Sequence, residues 1–145
     1  MKIEVKKLNE NAKLPFRATD GSAGADLFAC VEQVVVIQPG ERVLIPTGIA
    51  FAIPDKGYGG FVFPRSSVAS KHGVTLSNCV GVIDSDYRGE VKIPIINHGQ
   101  SAYTVKNGDR IAQLVIMPVD MSDFVEANEL SDTERGEGGF GSTGI

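Results

Sequence analysis

Residues 49–63 read IAFAIPDKGYGGFVF. Ile49, Phe51 and Ile53 alternate with alanines, the period of a strand with one buried face. Pro54–Asp55–Lys56–Gly57 is a turn made of residues that preset or tolerate turn dihedrals. Phe61 and Phe63 then fall on one face of a second strand. The same pattern spreads in both directions. Ile3 and Val5 alternate in the first segment, the run 34–37 ends at a Pro39–Gly40 turn, and 42–46 follows it. Val91, Ile93 and Ile95 alternate again. Pro94 marks that strand as an edge or a bulge, because proline cannot donate to a ladder. Residues 110–119 form the longest apolar run and predict a buried central strand. Helical periodicity is nearly absent. One short helix is expected through Val68–Ala69–Ser70–Lys71, begun by Ser66 and Ser67, whose hydroxyls can cap its free N–H groups, and stopped at Gly73. Many short strands with one short helix predict an all-β fold, a jelly-roll-like β-barrel.

At 145 residues the chain is one domain with a sizeable core. It carries 14 basic and 18 acidic residues, a net charge of -4. Six of the acids, Asp120, Asp123, Glu126, Glu129, Asp132 and Glu134, share one stretch that has no lysine or arginine. The remainder holds a charge of about +2. A mildly positive body of 1–119 with an acidic arm of 120–134 suits a small anionic ligand better than a polynucleotide. One strand is expected in the arm around Phe124 and Val125. With three tyrosines, no tryptophan and a negative net charge, the chain lacks the basic, aromatic groove of a nucleic-acid binder. Cys30 and Cys79 are far apart, His72 and His98 are isolated, and no zinc-ligand spacing occurs. No signal-peptide pattern and no apolar run near ~20 residues is present. The expectation is a cytoplasmic protein with neither membrane nor nucleic-acid partner.

The segment 135–145 reads RGEGGFGSTGI and holds five of the 17 glycines. No core can be built from it, and each glycine makes it costly to order. It either frays in solvent or closes over something. Its residue types suit a phosphate: converging glycine N–H groups, an arginine and two hydroxyls, with Phe140 offering a face for a base. Gly136, Gly138 and Gly141 spell G-x-G-x-x-G, but a dinucleotide fingerprint needs a strand before it and a helix after it. Only four residues follow Gly141. No Gly-Lys-Ser/Thr phosphate loop is present.

Four further stretches carry chemistry. In GVIDSDYRGEV, residues 81–91, a polar turn separates apolar strands. It is either a hairpin tip with ordinary Asx turns, or it aims a partly desolvated Asp84 into a pocket as a base, with Tyr87 packing against a sugar. Pro64–Arg65–Ser66–Ser67 is either a capped helix with a solvated arginine or an anion site of N–H groups, hydroxyls and a guanidinium. In NGDRIAQL, residues 107–114, Gln113 is polar inside an apolar run. Once buried it must find partners, either the backbone or a ligand. Ala23–Gly24–Ala25–Asp26–Leu27 places one carboxylate in a small-residue turn.

The order of AGADL, PRSS, GVIDSDYRGE, NGDRIAQL and RGEGGFGSTG resembles the five ordered motifs of the trimeric dUTP pyrophosphatases (dUTPases). The likeness runs from Ala23 to Gly144. It implies cleavage of dUTP to dUMP and pyrophosphate, limiting uracil in DNA and supplying dUMP for dTMP synthesis. Asp84 would orient and deprotonate a water that attacks the α-phosphorus, with Gln113 near the α-phosphate as the second catalytic residue. Arg65, Ser66 and Ser67 would hold the phosphate chain, and Arg110 would give phosphate or structural support. A Mg²⁺ borne mainly by the triphosphate would meet Asp26 through water. Asn78, Val82, Ile83 and Tyr87 would form the uracil and deoxyribose pocket. The tail would be a lid: Phe140 would stack on the base, and Arg135, Gly141, Ser142 and Thr143 would contact the substrate, mainly at the γ-phosphate. The likeness also implies a homotrimer with active sites shared between subunits. The second motif often has glycine where this chain has Ser67. Two alternatives share many of these residues: a dCTP deaminase of the sister family, which uses a glutamate and lacks such a tail, and a dUTPase-like nucleotide-sensing regulator.

Overall fold

The protein is described by a computed structural model covering residues 1–139. The described residues form eleven strands: β1 (Glu4–Lys7), β2 (Ala25–Phe28), β3 (Val35–Ile37), β4 (Arg42–Pro46), β5 (Ile49–Ala52), β6 (Tyr58–Pro64), β7 (Val74–Leu76), β8 (Gly81–Ile83), β9 (Lys92–Asn97), β10 (Tyr103–Val105) and β11 (Arg110–Pro118); β7 and β10 carry no strand signal in the sequence, and β2 takes up part of the expected small-residue turn. A single helix, α1 (Ser66–His72), lies between β6 and β7. The strands pair in the orders β2-β11-β6-β8, β4-β9-β7, β1-β5 and β10-β3. One hydrophobic core draws on all four sheets, with Leu27, Ile37, Ile45, Ile49, Ile93 and Val105 at or near complete burial. The fold is thus mostly β with one short helix, but the expected barrel does not close. Proline ends β4 at Pro46, β6 at Pro64 and β11 at Pro118, where a missing donor stops a ladder from running on.

The 49–63 stretch turns out to change sheets. β5 pairs with β1, whereas β6 pairs with β11 and β8. Asp55 Oδ1 accepts the Gly57 N–H at 2.8 Å and fixes the turn between them. Val62 enters the core, while Phe61 and Phe63 lie half-buried on the opposite face. β11 is central, as its apolar run predicts, with β2 on one side and β6 on the other.

Pro94 needs a correction: β9 is the centre of its sheet, not an edge. The Pro94 carbonyl accepts the Ser77 N–H at 2.8 Å, just where β7 has ended. N–H and C=O of one strand residue point the same way, so the missing donor faces past the end of β7. The serine caps are also corrected. The N-cap is Arg65, with no side-chain cap bond, and Ser66 and Ser67 already lie in the first turn, one step too late to cap. Gly73 does end the helix, at φ 67, its N–H donating to Ala69 O at 2.9 Å. The strand expected around Phe124 and Val125 is absent. Among the described residues none after Pro118 is in a strand or helix, and none of them pairs with Phe124, Val125 or Leu130, which are fully or largely exposed.

Asn97 is wholly buried at the end of β9. Its amide donates to Ile37 O at 2.9 Å and Ser101 O at 2.8 Å, and its oxygen accepts the Gly99 N–H at 2.8 Å. Asn97→Leu strands all three groups, so unfolding free energy should fall by about 2–4 kcal/mol. Urea denaturation at fixed protein concentration measures it.

Candidate active site

Pairing on both sides of β11 assembles the first cluster. Gln113 is the register partner of Asp26 on β2 and of Phe63 on β6, so all three share one face. Arg110 would lie on the other face by simple alternation. A register shift between Arg110 and Ala112 leaves Ile111 as an extra residue, and such a bulge turns the next side chain over. Arg110 therefore faces Asp26. The Asp26 carboxylate, 12% exposed, accepts from Arg65 Nε at 2.8 Å through Oδ1 and from Arg110 Nη1 at 3.1 Å through Oδ2. Arg65 Nη1 also reaches Arg110 O at 3.3 Å. Gln113 Nε2 donates to Pro64 O at 3.0 Å, so it ties down the backbone. It also faces a cavity of about 310 Å³ with Asp26, Arg65, Ser66, Ser67 and Arg110. Hydroxyls, an amide and two guanidinium groups around one carboxylate give this cavity a positive surplus and many donors.

A second cluster forms around β8. A cavity of about 470 Å³ is lined by Asn78, Val82, Ile83, Asp84, Tyr87 and Glu90, and backed by Leu44, Val62, Leu76 and Ile93. Asp84 is exposed rather than desolvated. It follows the last residue of β8, an edge strand with no further neighbour among the described residues to cover it. Val82 and Tyr87 are exposed as well, at 66% and 46%. Tyr87 Oη donates to Glu90 O at 3.0 Å, and Glu90 Oε1 accepts the Gly48 N–H at 2.9 Å. Glu90 was invisible in the sequence, where nothing distinguishes it from a solvated acid. Leu44 and Ile93 were legible only as strand residues, and Leu76 was not singled out at all.

No residue lines both cavities. Gly81 pairs with Val62, and Ile83 with Gly60, on the core side of the four-stranded sheet. Asp26 and Gln113 lie on its other side. Among the remaining predicted residues, Arg135 is exposed in a turn where its Nε donates to Gly138 O at 2.8 Å. Phe140, Gly141, Ser142 and Thr143 lie outside the described residues.

Two groups titrate away from their ordinary values. Burial pushes the Tyr103 phenol up, helped by the Asp109 carboxylate and opposed by Arg65. Ser122, through its hydroxyl and its N–H, draws the exposed Asp120 carboxyl down. Among the described residues no three acidic, histidine or cysteine side chains cluster as a metal cage. Asp26 is the only carboxylate in the cationic cavity, and both its oxygens already accept from arginines. Each retains a second lone pair, which fits an outer contact to a hydrated cation but not a protein-held one.

A cavity with an apolar back wall, an amide and two carboxylates, together with a cationic hydroxyl-lined one, suits a ligand that joins a flat ring to phosphates, and so a protein of the nucleoside-phosphate class. The family model described as dUTPase matches residues 10–144, and the chain belongs to that family. It is 55% identical over its full length to the deoxyuridine 5'-triphosphate nucleotidohydrolase of Hydrogenobaculum sp., covering 99% of that protein. The protein of the same name from Desulfitobacterium hafniense is 52% identical, over all of this chain and 96% of its own. Staphylococcus bacteriophage 80alpha dUTPase, solved with dUPNHPP, shares 33% identity at a TM-score of 0.89, with 99% of each chain covered. A dUTPase from phage phi11 of S. aureus, whose structure concerns coordination of a structural Mg(II) ion, matches 91% of this chain and all of its own, at 29% identity and a TM-score of 0.81.

Asp26→Asn keeps the shape of the carboxylate but removes its charge from between two guanidinium groups. Unfolding free energy should fall by about 1–2 kcal/mol, since both bonds lose their charge assistance. The same denaturation assay reads it.

Proposed function

We propose that this chain hydrolyses dUTP to dUMP and pyrophosphate. The observation that carries the reading is Asp84 at the rim of the cavity that also holds Asn78 and Tyr87. Uracil sits in that cavity, its edge read by the Asn78 amide and by backbone groups near Val82 and Ile83. The 5-methyl of thymine is excluded by size, and cytosine by mismatched donors and acceptors. Tyr87 lies against the deoxyribose. Asp84 takes the proton of a water whose oxygen attacks the α-phosphorus. The bond from that phosphorus to the bridging oxygen breaks, and pyrophosphate leaves. Arg65, Ser66, Ser67 and Gln113 hold the phosphate chain in line with the attack, so their work is positioning and charge neutralisation. A Mg²⁺ carried by the triphosphate, held by Asp26 through water, would supply further neutralisation. Segment 135–145 is the lid, with Phe140 on the base and Arg135, Gly141, Ser142 and Thr143 at the phosphates.

The two cavities share no lining residue within one chain. This supports a homotrimer in which the base cavity of one subunit meets the phosphate cavity of another. The exposure of Val82 and Tyr87, and of Phe124 and Leu130 on the acidic arm, supports it too, since large apolar side chains left bare in one chain are covered in an assembly.

The test is incubation with Mg²⁺ and dUTP, dTTP, dCTP or UTP separately. Products are expected from dUTP, and Asp84→Asn should lower turnover by ~10³-fold with dUTP binding retained. Ammonia from dCTP would mean deamination, and tight dUTP binding without turnover would mean sensing. For shared sites, inactive Asp84→Asn and Gln113→Ala chains refolded together should recover part of the activity. Persistent inactivity of the mixture, or a monomer by sedimentation, would refute sharing.

A further inference from the structure

We propose that Gly89 is a specificity-determining residue that acts through Tyr87: the empty volume at position 89 is the seat of the Tyr87 ring. This rests on the reading in which Tyr87 meets the deoxyribose. The hydrogen bond from Tyr87 Oη to Glu90 O, at 3.0 Å, folds the ring back across the turn. That path carries it directly over residue 89. A Cβ placed on Gly89 would lie 2.5 Å from Tyr87 Cζ and 3.0 Å from Cε2, and it would also strike Oη. Carbon atoms in contact normally stand about 3.5–4 Å apart, so the ring and a Cβ cannot both be there.

Backbone conformation does not explain this glycine. Gly40, Gly48, Gly73, Gly108 and Gly136 have positive φ, and Gly89 does not. The three atoms nearest to a Cβ at this position all belong to Tyr87. The turn beneath the ring is pinned, so it cannot slide aside to make room. The Tyr87 N–H donates to Asp84 O at 3.2 Å, and Arg88 Nη1 donates to Ser85 O at 2.7 Å and Tyr87 O at 2.9 Å. The Glu90 carboxylate is anchored on Gly48. The ring is nearly half exposed and lines the cavity. It is therefore the part that moves, and its movement changes the room left for the sugar. Gly89 thus sets how closely Tyr87 approaches the 2′ position, where a ribonucleotide carries a hydroxyl and a deoxyribonucleotide does not.

The experiment compares kcat/KM for dUTP and UTP in the wild type, Gly89→Ala, Tyr87→Ala and the double variant. Gly89→Ala should lower the dUTP-over-UTP preference ~10-fold or more, the scale of effect expected when a positioning contact is misplaced. In the Tyr87→Ala background the three atoms nearest to that Cβ are gone, so Gly89→Ala should add no further change. Gly21→Ala, where nothing lies within 4 Å and φ is not positive, should leave the ratio unchanged. If Gly89→Ala fails to fold, the double variant should fold. An unchanged ratio in Gly89→Ala, an equal effect in both backgrounds, or a double variant that also fails to fold would overturn the seat. A wild type that leaves dUTP intact would overturn the functional reading beneath it, which the other outcomes do not touch.

Discussion

The cationic cavity of this molecule depends on one constraint, the register of β11 between its two neighbours. Gln113 stands opposite Asp26 on one side and Phe63 on the other. From Phe63 the chain needs only two more residues to deliver Arg65 to the Asp26 carboxylate. A slip of one residue would send Gln113 into the core and bring Ala112 to the cavity. The core forbids that slip, because Ala112 and Leu114 are buried against Leu27 and Val62. Apolar packing on one face thereby positions polar groups on the other. The only irregularity, the bulge at Ile111, adds Arg110 to the same polar face.

Asp26 gains a different meaning from this arrangement. A carboxylate with both oxygens on guanidinium groups keeps two cations oriented side by side. Without it Arg65 and Arg110 would repel each other across the cavity wall. Arg65 is the better-held partner, at 21% exposure against 47% for Arg110. Asp26 is largely buried, so the pair contributes about 1–2 kcal/mol of stability, and it also fixes the geometry of both arginines.

Much of this was legible in the sequence, and the failures have specific physical causes. Alternation and apolar runs place β1, β3, β4, β5, β6, β9 and β11, whereas the short β7 and β10 carry no such signal and β2 reads as a small-residue turn; the apolar run of 110–119 correctly marks the centre of a sheet. Gln113 was visible as a polar residue where only apolar ones belong, and it satisfies both of the roles open to it, a backbone tie and a cavity wall. Arg110 was legible only through the motif resemblance, because alternation puts it on the wrong face and only a bulge corrects it. The serine caps failed by one position, which helix pattern does not resolve. Pro94 failed because the rule against proline in central strands is a rule about one N–H, and that N–H happens to point past the end of β7. Asp84 follows two apolar residues, but an edge strand leaves it exposed. Sequence order says nothing about which strand lies at an edge.

Glycine shows most clearly what sequence cannot separate. Gly73 is required by its φ of 67 at the end of α1. Gly24 and Gly89 are ordinary in φ, yet each leaves a space that a site side chain fills. A Cβ on Gly24 would stand 2.6 Å from Gln113 Oε1, and one on Gly89 would meet the Tyr87 ring. In the one-letter code all three are the same G. A missing side chain costs no rotamer entropy to hold in place, and it cannot swing away as a packed neighbour could. Main chain is therefore the firmest wall available for a group that must sit within a few tenths of an ångström. Both cavities use it, one behind the amide of Gln113 and the other behind the ring of Tyr87.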